Sequence, residues 1–163
     1  MDDFLYDTPG LWRHGLQVAL VNRRQILFVP VLRSHLISEA AVICDYPMCA
    51  EEIGGVIYHF FEQMKLRRLT LHNPYKKYWL MPKGVSSFKK YVEAALPVDL
   101  RRDGEIFRIT RWFPAPDRGF GPEPSEINNN HCDITISTSA SAEELGAFVL
   151  QQFDYIEKKR HSL

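Results

Sequence analysis

The chain has 163 residues, of which 45% are apolar and 25% are charged, and its formal net charge at pH 7 is zero. This length and this average composition indicate one folded domain and exclude a disordered, collagen-like or disulfide-scaffold protein. The three cysteines and the lack of a long apolar run favour a reducing cytoplasmic setting over secretion or membrane insertion.

Two apolar segments near the start of the chain, 16–22 and 25–32, predict a pair of strands because both are rich in valine, leucine and isoleucine. The Asn-Arg-Arg stretch between them is typical of a tight turn, so the two strands are expected to form a hairpin. A further apolar run at 41–44 predicts another strand, which is followed by a helix that begins after Cys49.

A short motif occurs twice in the chain and predicts two strand–turn–helix units, at 41–65 and 133–158. Residues 49–61 and 141–153 have the sequences CAEEIGGVIYHFF and SAEELGAFVLQQF, and they align without a gap. The shared Ala-Glu-Glu string and the glycine that follows it make a chance match less plausible than a true repeat.

The start of the second unit has the features of a helix N-terminus. Ser141 stands at the expected N-cap, and Glu143 and Glu144 face the positive end of the helix dipole. We therefore interpret these glutamates as helix-initiating residues rather than as a catalytic acid pair. Gly146, inside the helix, costs about 1 kcal/mol relative to alanine, so we expect it to allow close packing of the helix on a sheet.

The middle of the chain alternates further between strands and helices. Residues 77–81 form a short aromatic segment that predicts a strand, and Ser86 is the expected N-cap of a helix through Ala95. Segments 98–101 and 105–113 predict two strands joined by an Asp-Gly turn, and apolar and polar residues alternate along the second. One face of that strand is therefore expected to meet solvent.

Residues 114–130 hold four prolines, two glycines and three consecutive asparagines, so they predict a long irregular loop.

A strand at 133–136 and the second helix of the repeat follow this loop. The alternation of strands and helices predicts an α/β (α+β) fold. We expect a single domain, residues 1–163, with a mixed β-sheet and helices packed against it.

Sequence motifs of catalysis and metal binding are absent from the chain. It contains no HExxH, CxxC or GxSxG sequence, and Gly54-Gly55 lacks the lysine of a phosphate-binding loop. We therefore expect no enzymatic activity, no cofactor and no metal site. The remaining enzymatic alternative is a Cys132 nucleophile activated by a histidine, although a cysteine at the start of an apolar strand is more commonly a small buried residue.

Charged residues are segregated along the chain although their sum is zero. Between residues 112 and 157 eight acids stand against a single arginine, whereas residues 63–92 contain eight basic residues and no acid. The segment 65–91 also interleaves tyrosine, tryptophan and phenylalanine with these cations, a composition typical of nucleic-acid binding. A nucleic-acid-binding module that uses 65–91 is therefore the alternative function.

Three motifs follow one another in the second half of the chain. They are VSSFKKY at 85–91, followed by a strand, an Asp-Gly turn and another strand; Arg-Gly-Phe at 118–120; and the closing strand and helix start DITISTSASAEELG at 133–146. In this order, over residues 75–153, they make the chain resemble the immunity proteins of bacterial contact-dependent growth inhibition (CDI) systems.

The resemblance implies a small cytoplasmic α/β protein without catalytic activity. Members of this family bind the cognate C-terminal toxin domain of a contact-dependent inhibitor, commonly a nuclease, and neutralise it. Two binding modes are left open: complementarity between acidic residues and a basic toxin, and addition of a toxin strand to the sheet. The resemblance implies a protein partner, with no membrane, no small-molecule cofactor and no direct nucleic-acid contact.

The irregular loop is where we expect the toxin contact, because an irregular segment can conform to a partner and this one combines charges with an aromatic anchor. None of its residues is expected to take part in catalysis or metal binding. The expected toxin-binding residues are Asp117, Arg118, Phe120, Glu123 and Glu126.

Overall fold

The structure of the chain is a computed structural model. It describes residues 14–33, 35–71, 84–115, 119–121, 123 and 134–162. The strands in this part of the chain are β1 (Gly15–Val21), β2 (Gln25–Leu32), β3 (His35–Leu36), β4 (Val42–Asp45), β5 (Ala95–Asp103), β6 (Ile106–Arg111), β7 (Phe113–Pro114), β8 (Phe120–Gly121) and β9 (Ile134–Ser137). The α-helices are α1 (Ala50–Lys65), α2 (Phe88–Ala94) and α3 (Ala142–Ser162). No helix in these ranges combines the length and the apolar character that a membrane span requires.

Seven of the strands form one sheet in the order β3–β2–β1–β5–β6–β9, with β4 paired to the same strand as β3. Each pairing between described strands of this sheet is antiparallel. β7 and β8 form a separate antiparallel ladder. Together with the helices, this arrangement confirms the predicted single α+β domain.

The predicted hairpin between the first two strands is confirmed. β1 pairs with β2 along its whole length. Asn22 and Arg23 in the turn have φ angles of 53° and 54°, in the left-handed region that asparagine tolerates better than most residues. The Arg24 N–H closes the turn by donating to the Val21 carbonyl at 3.0 Å.

The face of the sheet that carries α1 and α3 holds the main hydrophobic core. Alternate residues of each central strand point to this face, because successive side chains of a strand lie on opposite sides. The buried strand residues of this core include Leu16, Val18, Leu20, Ile26, Phe28, Val98, Leu100, Phe107 and Ile109. The helices contribute Ile53, Ile57, Phe61, Leu145, Val149 and Phe153. Each fully buried side chain of this size contributes about 1.5–3 kcal/mol.

The opposite face of the sheet carries a smaller core under α2. Tyr91 of α2 packs there with Ala19, Val21 and Leu27 of the first hairpin. Farther across the same face, Thr110 of β6 is exposed and Ile106 and Arg108 are partly exposed. The prediction that one face of this strand meets solvent is confirmed.

α1 and α3 cross at a point where each has a glycine. A Cβ on Gly54 would overlap the backbone carbonyl of Ala142, and a Cβ on Gly146 would overlap that of Ala50. The two contacts are equivalent under the sequence repeat, so each copy of the motif presents the same residues to the other. The prediction that Gly146 packs on a sheet is therefore wrong, because the glycine permits the close approach of another helix.

The N-cap residue of α3 is the predicted one, whereas that of α2 differs from the prediction. The Ser141 Oγ accepts a hydrogen bond from the Glu144 N–H at 3.0 Å, as expected of an N-cap. In α2 the N-cap is Ser87 rather than Ser86, and its Oγ accepts from the Lys90 N–H at 3.2 Å. β5 follows α2 directly at Ala95, earlier than predicted. The strand predicted at 77–81 lies outside the described residues.

Candidate functional site

Two of the predicted toxin-binding residues lie in the described part of the chain. Phe120 belongs to β8, and Glu123 follows it on the same loop. Asp117, Arg118 and Glu126 lie outside the described residues. Contact between any of these residues and a partner stays a prediction.

Glu123 is buried, with 7% of its surface accessible. The Tyr155 hydroxyl of α3 donates to its carboxylate, at 3.0 Å from Oε1 and 2.8 Å from Oε2. Two cations lie farther away: Arg111 Nη2 is 3.7 Å from Oε2, and Lys159 Nζ is 3.5 Å from Oε1. A carboxylate that leaves water requires such partners, because desolvation of the charge is costly. Glu123 therefore ties the loop to the end of β6 and to α3.

Glu123 and its neighbours Tyr155, Arg111 and Lys159 form one cluster. The Tyr155 ring makes a second set of contacts within it. The Arg111 guanidinium carbon lies 3.6 Å from the ring centre, and Lys159 Nζ lies 5.7 Å from it. A cation–π contact contributes about 0.5–2 kcal/mol, depending on its exposure. No sequence pattern points to Tyr155, because it lies 32 positions from Glu123 and no local motif relates the two residues.

We expect Tyr155→Phe to lower the free energy of unfolding by about 1–3 kcal/mol, because the buried Glu123 carboxylate loses its hydroxyl donor while the ring remains. Urea denaturation followed by tryptophan fluorescence measures this change. The matched control is Tyr46→Phe, which removes a hydroxyl outside the cluster and should change stability by less than about 0.5 kcal/mol. Equal effects of the two substitutions would contradict the role of the Tyr155 hydroxyl.

Phe120 is partly buried and packs against α2. Its ring meets the rings of Tyr91 and Phe88 edge-on, with centroid distances of 5.9 and 6.5 Å and interplanar angles of 86° and 89°. Aromatic pairs favour this geometry, which adds about 0.5–1.5 kcal/mol to the burial of the rings. Phe120 therefore holds the loop against α2, as Glu123 holds it against α3.

The loop that was predicted as irregular contains a short hairpin. β7 and β8 pair through Phe113↔Gly121 and Pro114↔Phe120. The Ala115 N–H also donates to the Gly119 carbonyl at 2.9 Å. A proline-rich composition does not exclude this ladder, because a two-residue strand needs few backbone donors.

Four exposed carboxylates lie where α1 and α3 begin. Glu51 and Glu52 are in the first turn of α1, and Glu143 and Glu144 are in the first turn of α3. The first turns of the two helices adjoin each other, because Gly54 contacts Ala142 and Gly146 contacts Ala50. The interpretation of the four glutamates as helix-initiating residues agrees with their place in these first turns.

The described part of the basic segment lies near cations from elsewhere in the fold. Arg67 and Arg68 are exposed just beyond α1. Burial lowers the pKa of His14, and the charges of Arg102 and Arg67 lower it further, so both guanidinium groups lie near this imidazole. Cations from distant parts of the sequence therefore share one end of the sheet. The aromatic residues at 75–79 lie outside the described part of the chain.

Groups for metal binding or nucleophilic catalysis do not cluster in the described ranges. No set of three or more His, Cys, Asp and Glu side chains there could hold a metal ion. Burial raises the pKa of the Cys44 thiol, and the nearby Asp45 and Glu52 carboxylates raise it further, which disfavours the reactive thiolate. The candidate nucleophile Cys132 lies outside these ranges.

Comparison with known proteins adds two similar structures. No protein-family model matches the chain, and no curated protein matches its sequence. A protein of unknown function from Neisseria meningitidis has a TM-score of 0.53 at 12% identity, over 88% of this chain and 94% of that chain. A chain of the CdiA-CT/CdiI toxin and immunity complex from Yersinia pseudotuberculosis has a TM-score of 0.53 at 12% identity, over 85% of this chain and 96% of that chain.

At this identity the similarity shows a shared fold. It extends over most of each chain, so the α+β domain as a whole is shared rather than one supersecondary motif. The resemblance to CDI immunity proteins, first inferred from sequence motifs, is therefore supported at the level of the fold.

Proposed function

We propose that the chain is an immunity protein of a CDI system, which binds and neutralises the cognate C-terminal toxin domain. The observation that carries the proposal is the fold shared with a chain of the Yersinia pseudotuberculosis toxin and immunity complex. The order of the three sequence motifs supports it independently. On this proposal the protein acts in the cytoplasm, by binding and without catalysis.

The surface charges support a toxin that is a nuclease. A nuclease domain presents basic residues, because it must hold phosphate groups. The exposed glutamates in the first turns of α1 and α3 carry the opposite charge. Such complementarity accelerates association and fixes the orientation of the partners.

Within the loop, we assign the direct toxin contact to Asp117, Arg118 and Glu126, and the positioning of the loop to Phe120 and Glu123. The burial of Glu123 against Tyr155 and the partial burial of Phe120 against Tyr91 support this division, because a side chain already engaged within the domain offers less surface to a partner. The five predicted residues then serve one interface in two different ways.

Co-expression with the toxin domain tests the proposed function. The proposal predicts that a large secreted protein is encoded next to this chain. The C-terminal domain of that protein, produced in a bacterial host, is the probe. We expect the toxin domain alone to arrest growth, this chain to restore it, and the two proteins to co-purify. An immunity protein from an unrelated system is the control and should not restore growth. Persistent arrest in cells that contain both soluble proteins would contradict the proposal.

A second candidate function is nucleic-acid binding at the basic end of the sheet, which the approach of Arg67 and Arg102 to one imidazole favours. It predicts that the protein alone binds a mixed-sequence RNA oligonucleotide, with an affinity that falls steeply between roughly 50 and 200 mM salt. Fluorescence anisotropy measures this affinity. No binding at the lower salt concentration would eliminate this function and leave the immunity proposal in place.

A further inference from the structure

The outer face of α1 borders a groove of about 500 Å³ between this helix and β4. The lining is mainly apolar, with Val42 from β4, Met48 from the connection to α1, and Val56 and Phe60 from α1. Phe60 is buried, whereas the other three side chains are partly exposed to solvent. Covering them removes apolar surface from water, which stabilises a complex.

Gly55 leaves the backbone of α1 bare at this groove. It is exposed, and a Cβ at this position would meet no described atom within 4 Å. Gly54 next to it allows the close crossing of α3, but no packing within the described part of the chain explains Gly55. A glycine inside a helix costs about 1 kcal/mol relative to alanine. A second helix that packs closely on α1 at this point would account for the glycine, as α3 does for Gly54.

The outer face of α1 has opposite charges at its two ends. Glu52 is in the first turn and lines the groove together with Gln63, three turns later. Arg68 follows the helix, and its N–H donates to the Gln63 carbonyl at 2.8 Å, which places it at the other end of this face. Glu52 and Arg68 are exposed, and neither forms an ion pair with another described residue.

This arrangement is complementary to itself. When two copies of α1 pack antiparallel about a two-fold axis, the first turn of each helix lies beside the end of the other. With the axis midway between positions 56 and 59, position 52 faces position 63 of the second copy, and position 49 faces position 66. Glu52 then meets Arg68 of the second copy. Leu66, which is 50% exposed, meets Met48 at the groove.

We propose that the outer face of α1 is an interface between two copies of this chain. The two helices cross antiparallel beside Gly55, and Leu66 of each copy enters the groove of the other. Glu52 of each copy pairs with Arg68 of the other. This inference is independent of the proposed immunity function. One face of a 16-residue helix is small for an interface, so we expect a dissociation constant on the order of 10 µM.

Sedimentation velocity of the full chain between about 1 and 300 µM tests the proposal, because wild type should change from monomer to dimer across this range. Gly55→Leu places a side chain between the helices and should weaken dimerisation by about tenfold or more. Its monomer should unfold with a free energy equal to or above that of wild type, because leucine is the better helix former. Circular dichroism of dilute samples measures this stability.

A charge exchange tests the two-fold symmetry directly. Glu52→Arg and Arg68→Glu each set like charges against one another twice across the interface, and each should weaken dimerisation by about tenfold or more. The double variant Glu52→Arg/Arg68→Glu should dimerise again, and an equimolar mixture of the two single variants should form a mixed dimer. The matched control is Lys158→Glu, an exposed charge reversal on α3, which should dimerise as wild type does.

Four results would overturn the proposal. The first is a wild-type chain that stays monomeric at every concentration. The second is a dimer that Gly55→Leu and both charge reversals leave unchanged, because it would form through another surface. The third is a loss of stability in the Gly55→Leu monomer, which would show that another part of the chain fills the groove. The fourth is a Gly55→Leu protein that dimerises as wild type does but no longer binds the toxin domain, because the toxin would then occupy this face.

Discussion

Replacement of Gly54 by alanine is expected to lower the free energy of unfolding by about 3 kcal/mol. The added Cβ would overlap the carbonyl group of Ala142, which belongs to the backbone of α3 and cannot move away by rotation of a side chain. The two helices must therefore separate, and the core residues Ile53 and Leu145 next to the crossing lose contact. Chemical denaturation followed by circular dichroism measures the loss.

The neighbouring glycine supplies the control for this experiment. Gly55→Ala introduces the same methyl group one position later, where it meets no described atom within 4 Å, and should raise stability by about 0.5–1 kcal/mol. Gly146→Ala should reproduce the loss seen at Gly54, because its Cβ would overlap the carbonyl of Ala50. A Gly54→Ala protein as stable as the Gly55→Ala protein would contradict the close helix crossing.

The second large effect is expected at Asp99, where Asp99→Asn should raise the free energy of unfolding at pH 7 by about 1–3 kcal/mol. Oδ1 of this carboxyl is buried and has no hydrogen-bond partner among the described residues. Burial raises the pKa of Asp99, while the polar groups of Trp112 and Gln17 and the charge of Arg101 lower it by less. The charged form is therefore disfavoured in the native state, and a neutral amide of similar shape removes that cost.

The pH dependence of this effect has a defined sign. In the unfolded chain the Asp99 carboxyl titrates near 3.8, and its native pKa is higher. Between these two values the native state binds more protons, so the stability of wild type falls as the pH rises. The advantage of Asp99→Asn should grow through this window and disappear below the unfolded pKa. Tyr91, whose pKa is raised by burial and then by Asp99, stays neutral throughout.

Urea denaturation from about pH 3 to 8 measures this dependence. The control is Asp45→Asn, because Asp45 is an exposed aspartate whose replacement should change stability by less than about 0.5 kcal/mol. An Asp99→Asn protein that is less stable than wild type at pH 7 would show that the carboxylate is stabilised by its surroundings, contrary to this expectation.

Local sequence patterns were sufficient for the first hairpin and for the start of the last helix. Both depend on groups close together in the chain, such as the turn at Asn22 and the hydrogen bond between Ser141 and Glu144. The N-cap of α2 was predicted one residue too early, because Ser86 and Ser87 have the same capping chemistry. Only the backbone path into the helix distinguishes them.

Local sequence patterns were not sufficient for the candidate site. The sequence predicts a partner contact at Phe120 and Glu123 because charges and an aromatic residue stand in a proline-rich loop. This pattern is the same whether the side chains project into solvent or pack against the domain. Their actual neighbours are Tyr91 and Tyr155, on two helices far away in the sequence. The pairing of a loop with such helices has no local signature, so composition alone could not separate anchoring residues from exposed ones.

By itself the sequence determined the α+β class, the repeated Ala-Glu-Glu helix start and the separation of acidic from basic segments, because each depends on composition or on short-range periodicity. Only the tertiary structure determined which residues these features contact. It brought Gly54 and Gly146 to a shared helix crossing, placed Gly55 in an apolar groove, and buried Glu123 against Tyr155. Such contacts join residues that are remote along the chain, and their energies depend on how closely separate elements approach, which no local pattern encodes.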